Sequence, residues 1–148
     1  MAYQNILVPV DGSENSLSVI PSVVELAKSF NSKVTVVQVM TLDPYMAAEY
    51  MVNGPNNQLV ERARSFIQAN LDAAKERFAA QGLNVETKFL EGESIPRTIA
   101  KFIEESGTDL VVTSSHGRSG FKKFIMGSVA QSLMTEIQTP ILVIKLQK

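Results

Sequence analysis

The sequence predicts a single-domain α/β protein over residues 1–148, with a mostly parallel sheet covered by helices on both faces. Three observations lead there. Short apolar runs alternate with longer stretches of helical periodicity, in the order β-α-β-α-β-α-β-α-β. The 45% hydrophobic content is carried by Val, Ile, Leu, Ala and Met, with only 7% aromatic residues, which suits helices packed on a parallel sheet better than a β-sandwich. At 148 residues the chain can bury one substantial core, and its composition marks no break into two domains.

Ile6-Leu7-Val8-Pro9-Val10 is a continuous apolar run ending in the turn and cap signal Asp11-Gly12-Ser13. It reads as a buried strand feeding a helix, with Ser13 as N-cap. Val19, Ile20, Val23, Val24, Leu26, Ala27 and Phe30 then follow helical spacing until Asn31-Ser32 ends them. Pro21 lies inside this pattern, where a proline loses a backbone bond and clashes with the preceding turn, so the helix is expected to kink or to start near Pro21. Lys33 to Met40 is β-branched and uninterrupted, a second interior strand. Asp43 to Gln58 holds two prolines, Gly54 and three asparagines. It is a long loop, or a loop with a short helix inside it, which either serves a site or is a plain surface insertion.

From Leu59 to Gln81 the apolar set Leu59, Ala63, Phe66, Ile67, Leu71, Ala74 and Phe78 predicts a long amphipathic helix, ended by Gly82 as a C-cap. Asn84 to Leu90 alternates Val85, Thr87 and Phe89, which predicts a half-exposed or edge strand. Gly92-Glu93-Ser94 turns into a helix from Ile95 to Glu105, with Pro96 in its first turn where the missing N–H costs nothing. Leu110-Val111-Val112 is the fourth strand, Gly127 to Ile137 the last helix, and Pro140 to Ile144 the fifth strand. Right-handed crossovers make such a sheet mostly parallel, and ligands then bind beyond the carboxyl ends of the strands, where strand order reverses. With the order 3-2-1-4-5, the ends of the first and fourth strands meet at that point.

Composition narrows the function. A net charge of −1 gives no global field for nucleic acid or an anionic membrane, and no apolar run approaches the ~20 residues of a membrane span. With no cysteine there is no disulfide framework, thiolate zinc site or cysteine nucleophile, which fits a reducing cytoplasm. The N-terminus enters a strand directly without a basic leader region, so a soluble, unprocessed, cytoplasmic protein is expected.

After the fourth strand comes Thr113-Ser114-Ser115-His116-Gly117-Arg118-Ser119-Gly120, and then Lys122, Lys123 and Gly127-Ser128-Val129. Glycines allow backbone N–H groups to approach an anion, and a helix start adds partial positive charge. No acid interrupts Ser114 to Thr135, whereas Arg118, Lys122 and Lys123 are basic. The bland alternative is a tight loop in which Ser128 only caps its helix and the basic residues are solvated. Asp11 either meets ribose hydroxyls or a base amino group, or helps to cap the first helix. His116 is the single histidine and either donates to phosphate or fixes the loop; no metal site is expected. Ser114 and Ser115 beside His116 lack a G-x-S-x-G elbow, and the chain has neither a Walker loop nor a dinucleotide fingerprint. A phospho-acceptor receiver needs an acidic pair and a third-strand aspartate where this chain offers Gly12 and Glu91.

These residues resemble the universal stress protein family. Its nucleotide-binding members carry G-x-x-G-x9-G-[ST] after the fourth strand, where this chain reads Ser114-x-x-Gly117-x9-Gly127-Ser128. Ile6 to Ser13 resembles the family opening, Gly92 with Pro96 its third turn, and Pro140 to Ile144 its closing strand. The resemblance implies a Rossmann-like or flavodoxin-like fold, ATP bound in the crevice between strands one and four, and a homodimer paired through Ile141–Ile144. It implies that Pro9, Asp11 and Val39 face adenine and ribose, while Gly117, Gly120, Gly127 and Ser128 hold the phosphates. Val10, Gly12, Ser114, His116, Arg118 and Val129 flank these positions and complete the candidate binding set for ATP, with or without Mg²⁺. Ser114 departs from the family glycine: a position needing φ > 0 or a bare backbone against the ligand would suffer from serine, and an extended one would not. The reading is a regulatory or stress-response protein that binds ATP, the alternative a nucleotide-independent dimeric interaction module of the same fold. No arginine finger or acid cluster for Mg²⁺ is identifiable, so fast hydrolysis is not expected and slow hydrolysis stays open.

Overall fold

β1 (Asn5–Pro9) forms the middle of a five-stranded sheet in the order β3-β2-β1-β4-β5, flanked by β2 (Lys33–Thr41) and β3 (Glu86–Gly92) on one side and β4 (Leu110–Ser114) and β5 (Ile141–Ile144) on the other. Every pairing is parallel. The computed structural model describes residues 3–41, 51–52, 58–115 and 128–145, with the backbone alone at Ser128. Helices α1 (Glu14–Leu17), α2 (Ile20–Phe30), α3 (Gln58–Ala80), α4 (Ile95–Ser106) and α5 (Ser128–Glu136) connect the strands. The α/β class and the strand order expected from the sequence are both present.

The proline problem is resolved by a break. α1 ends at Leu17 and α2 starts at Ile20, so Pro21 falls in a first turn where its missing N–H has no intrahelical acceptor to lose. Asn31 closes α2 in the left-handed region, at φ 53° and ψ 48°, with its N–H on the Ala27 carbonyl. α3 ends in a Schellman motif: Gly82, at φ 84°, donates to the Ala79 carbonyl at 2.9 Å, and Leu83 donates to the Phe78 carbonyl at 3.0 Å. Ser94 caps α4, its hydroxyl accepting from the Arg97 N–H.

The buried stripe of α3 differs from the expected one. Val60, Ile67, Leu71, Ala74 and Phe78 are buried, whereas Leu59 and Phe66 are 39% and 49% exposed. Steps of three and four from Ile67 reach Leu71, Ala74 and Phe78 on one face; Leu59 and Phe66 are displaced by about 100°. Strand limits also move. β3 runs from Glu86 to Gly92 rather than Asn84 to Leu90, because its ladder with β2 extends from Thr35↔Glu86 to Thr41↔Gly92. Its mixed burial and single partner strand agree with the expected edge position. In the stretch from 43 to 58, Met51 and Val52 are helical and exposed, and Gln58, expected in the loop, already belongs to α3; residues 43–50 and 53–57 lie outside the described residues.

Strand alternation splits the core between the two faces of the sheet. Ile6, Val8, Val10, Val34, Val36, Met40, Leu110 and Val112 pack with α2 and α3. Leu7, Val37, Val39 and Val111 pack with Ile99 and Ile103 of α4 and Leu133 of α5. Among the described residues, no helix is long and apolar enough to cross a membrane.

Candidate functional site

β1 is followed on one side by β2 and on the other by β4, so the chain leaves the carboxyl ends of β1 and β4 in opposite directions and opens a crevice between them. Asp11, Gly12 and Ser13 stand at the first of these ends. A closed polar network orders them. The Ser13 N–H and hydroxyl both donate to Asp11 Oδ1, at 2.9 and 2.5 Å, and the Ser13 hydroxyl accepts from the Ser16 N–H at 3.1 Å. The Ser16 hydroxyl in turn donates to the Ser13 carbonyl at 2.9 Å and accepts from the Asp11 N–H at 3.3 Å. Ser13 is thus the N-cap of α1, as expected, and Asp11 acts on the cap through Ser13. Both of these bonds to the carboxylate fall on Oδ1.

Gly12 sits at φ 85°, where a side chain is strained. A β-carbon there would lie 2.4 Å from Asn70 Nδ2, so α3 packs directly on the bare backbone of this turn. Ser16 and Asn70 were not among the expected site residues. Ser16 is legible as a hydroxyl three positions after Ser13, and Asn70 as a polar residue between Ile67, Leu71 and Ala74 on the sheet side of α3.

At the other end, Ser114 is the last residue of β4, buried and paired in register with Ile144 of β5. Its backbone is extended, so this position does not call for a glycine's conformational freedom. Ser115 is also buried, and its N–H donates to the Ile144 carbonyl at 2.9 Å. The described α5 runs from Ser128 to Glu136, against an expected Gly127 to Ile137. His116, Gly117, Arg118, Gly120 and Gly127, with the Ser128 side chain, lie outside the described residues.

Pro9 ends β1 in register with Val37 and is buried. By alternation it shares a face with Leu7, and Val39 packs on that same face against the α4 and α5 residues. Val129 at the start of α5 is half-buried against the same cluster. Val10 departs from this set: its side chain belongs to the cluster on the α2 and α3 face. Pro9, Val39 and Val129 therefore line one side of the sheet, and Val10 can offer the crevice its backbone only. No group of three metal-ligating side chains occurs among the described residues. The ion pairs Lys33–Glu86 and Arg64–Glu91 lie at β3.

Known proteins share both sequence and fold with this chain. The universal stress protein MJ0531 of Methanocaldococcus jannaschii is 29% identical over 147 residues, covering 99% of this chain and 84% of that protein. The solved structure of UspA from Lactobacillus plantarum superposes with a TM-score of 0.81 at 20% identity, over 97% of this chain and 99% of that one. A universal stress protein from Archaeoglobus fulgidus, solved in complex with dAMP, superposes with a TM-score of 0.68 at 22% identity, over 98% of this chain and 100% of that one. Residues 2–145 match the universal stress protein family as a whole, and the chain belongs to that family.

Proposed function

We propose that this protein is a cytoplasmic stress-response or regulatory protein that binds ATP at the carboxyl ends of β1 and β4. The backbone at Ser114 is the observation that carries the reading. Serine replaces glycine in the phosphate motif at a position that is plain extended strand, so the substitution leaves the path of the chain intact. Pro9 and Val39 offer an apolar surface to the base. Asp11, with its Oδ1 engaged by Ser13, offers its other oxygen to ribose hydroxyls. Gly117, Gly120, Gly127 and Ser128 hold the phosphates with backbone N–H groups, aided by the partial positive charge of the α5 start. His116, Arg118 and the backbones of Val10, Gly12 and Val129 complete the site. Support for an adenine ligand comes from the Archaeoglobus fulgidus relative in complex with dAMP.

Binding rather than turnover is the role this site fits, with Mg²⁺ as an accompanying ion at most. Two copies pair through the edge strand β5, whose Leu142 is 37% exposed. The test is to denature the purified protein, assay the released small molecules, and measure melting with and without ATP. Adenine nucleotide in the supernatant and a rise in Tm are expected. Neither signal, together with unchanged dimerisation, would leave the nucleotide-independent interaction module as the correct reading.

A further inference from the structure

Two buried side-chain atoms lack a hydrogen-bond partner among the described residues: Gln38 Oε1, an acceptor, and Asn70 Nδ2, a donor. Their positions converge. Gln38 lies in β2 between Val37 and Val39, which face α4 and α5, so it shares the opposite face with Val36 and Met40, which pack against α3. Its residue as a whole is 7% exposed. Pro9 is in register with Val37, which places Val10 beside Gln38, and Gly12 two residues later meets the Asn70 amide. Asn70 stands on the stripe of α3 that carries Ile67 and Ala74 toward the sheet. Both orphan atoms thus belong to the α3 side of the β1–β2 carboxyl end, on the face of the sheet away from α5.

A buried polar atom left unsatisfied is costly, and native interiors rarely leave both an acceptor and a donor unmet. The complement of this pair is a small molecule that gives one hydrogen to Gln38 and accepts one from Asn70. Water has that chemistry, and a buried water needs two to four polar partners. We infer that Gln38 Oε1 and Asn70 Nδ2 are the anchors of an internal water site that links β2 to α3 beneath the Gly12 turn. The site lies on the α3 face of the sheet and is filled in the nucleotide-free protein. Through Asn70 it bears on the turn that carries Asp11.

The experiment uses nucleotide-free protein and has two arms. A high-resolution crystal structure is expected to show one ordered water within hydrogen-bonding distance of both Gln38 and Asn70, and water–protein NOEs are expected to report a long-lived internal water there. A direct Gln38–Asn70 bond, or a rotation of either amide onto the main chain with no intervening molecule, overturns the inference without touching the nucleotide reading. In the second arm, Gln38→Met and Asn70→Leu each remove one anchor. Each is expected to lower the folding equilibrium constant about tenfold. The double variant leaves no polar group to satisfy, so it should cost clearly less than the product of the two single effects. Multiplicative effects contradict a shared water. Should a single variant fail to fold, the wild-type crystal and NMR measurements still decide the matter.

Discussion

Asp109 and Asn5 bond each other twice: the Asp109 N–H donates to the Asn5 carbonyl at 2.9 Å, and the Asn5 N–H donates to Asp109 Oδ1 at 3.0 Å. Asp109 Oδ2 also accepts the Gln4 N–H, at 2.8 Å. One side chain therefore clamps the beginning of β1 to the residue before β4, across about two thirds of the chain. The same two strands frame the crevice at their other ends, so the clamp sets their register at a distance from the site.

Asp109→Ala is expected to destabilise the fold by about 2 kcal/mol, since bonds to a charged acceptor contribute more than neutral ones. Asp109→Asn keeps one acceptor oxygen and should recover part of the loss. Urea denaturation midpoints check both. A midpoint unchanged in the alanine variant would show that the clamp contributes nothing to stability.

Gly12→Ala is expected to cost about 1–3 kcal/mol, because it forces a side chain into a positive-φ conformation and onto the Asn70 amide. The two causes separate by background. In an Asn70→Ala protein the collision is gone and only the backbone term remains, so the cost of Gly12→Ala should fall without vanishing. Thermal melts of the four proteins measure this; equal costs in both backgrounds would assign the whole effect to the backbone.

Ser114→Gly places the glycine of the proposed phosphate motif in an extended strand position. It is expected to lower stability by about 0.5–1 kcal/mol, the usual effect of glycine within a strand, and to leave ATP affinity unchanged. Titration calorimetry reads the affinity. Markedly tighter binding would mean that the serine side chain obstructs the ligand.

Leu142→Glu combined with Met134→Glu places charges at two exposed apolar positions, one on β5 and one on α5. The pair is expected to convert a dimer to monomers in sedimentation velocity, while the circular dichroism spectrum stays unchanged. A dimer that survives both charges would move the interface elsewhere on the molecule.

Much of this was legible in the chain, and the reasons differ by residue. Ser13, Asn31, Gly82 and Ser94 act through their own backbone neighbourhood, so their capping roles could be read locally. Pro21 left two outcomes open because a kink and a break satisfy the same local rule; the break between α1 and α2 is the one adopted. Phe66 misled the reading of α3, because an aromatic residue adjacent to Ile67 looks apolar in sequence yet points away from the sheet.

The sequence by itself determined the alternation of strands and helices, the caps that bound them, and the glycine-rich basic segment after β4. All of these follow from periodicity and local hydrogen bonding, which act over a few residues. Tertiary structure decided which face each strand residue serves, placing Val39 with α4 and α5 and Val10 with α3. It also decided that Ser114 is extended, and that Asn70 rests on Gly12 across 58 positions of chain. Such contacts depend on how the sheet orders its strands and where each helix lands on it, and that is a property of the packed whole rather than of any segment.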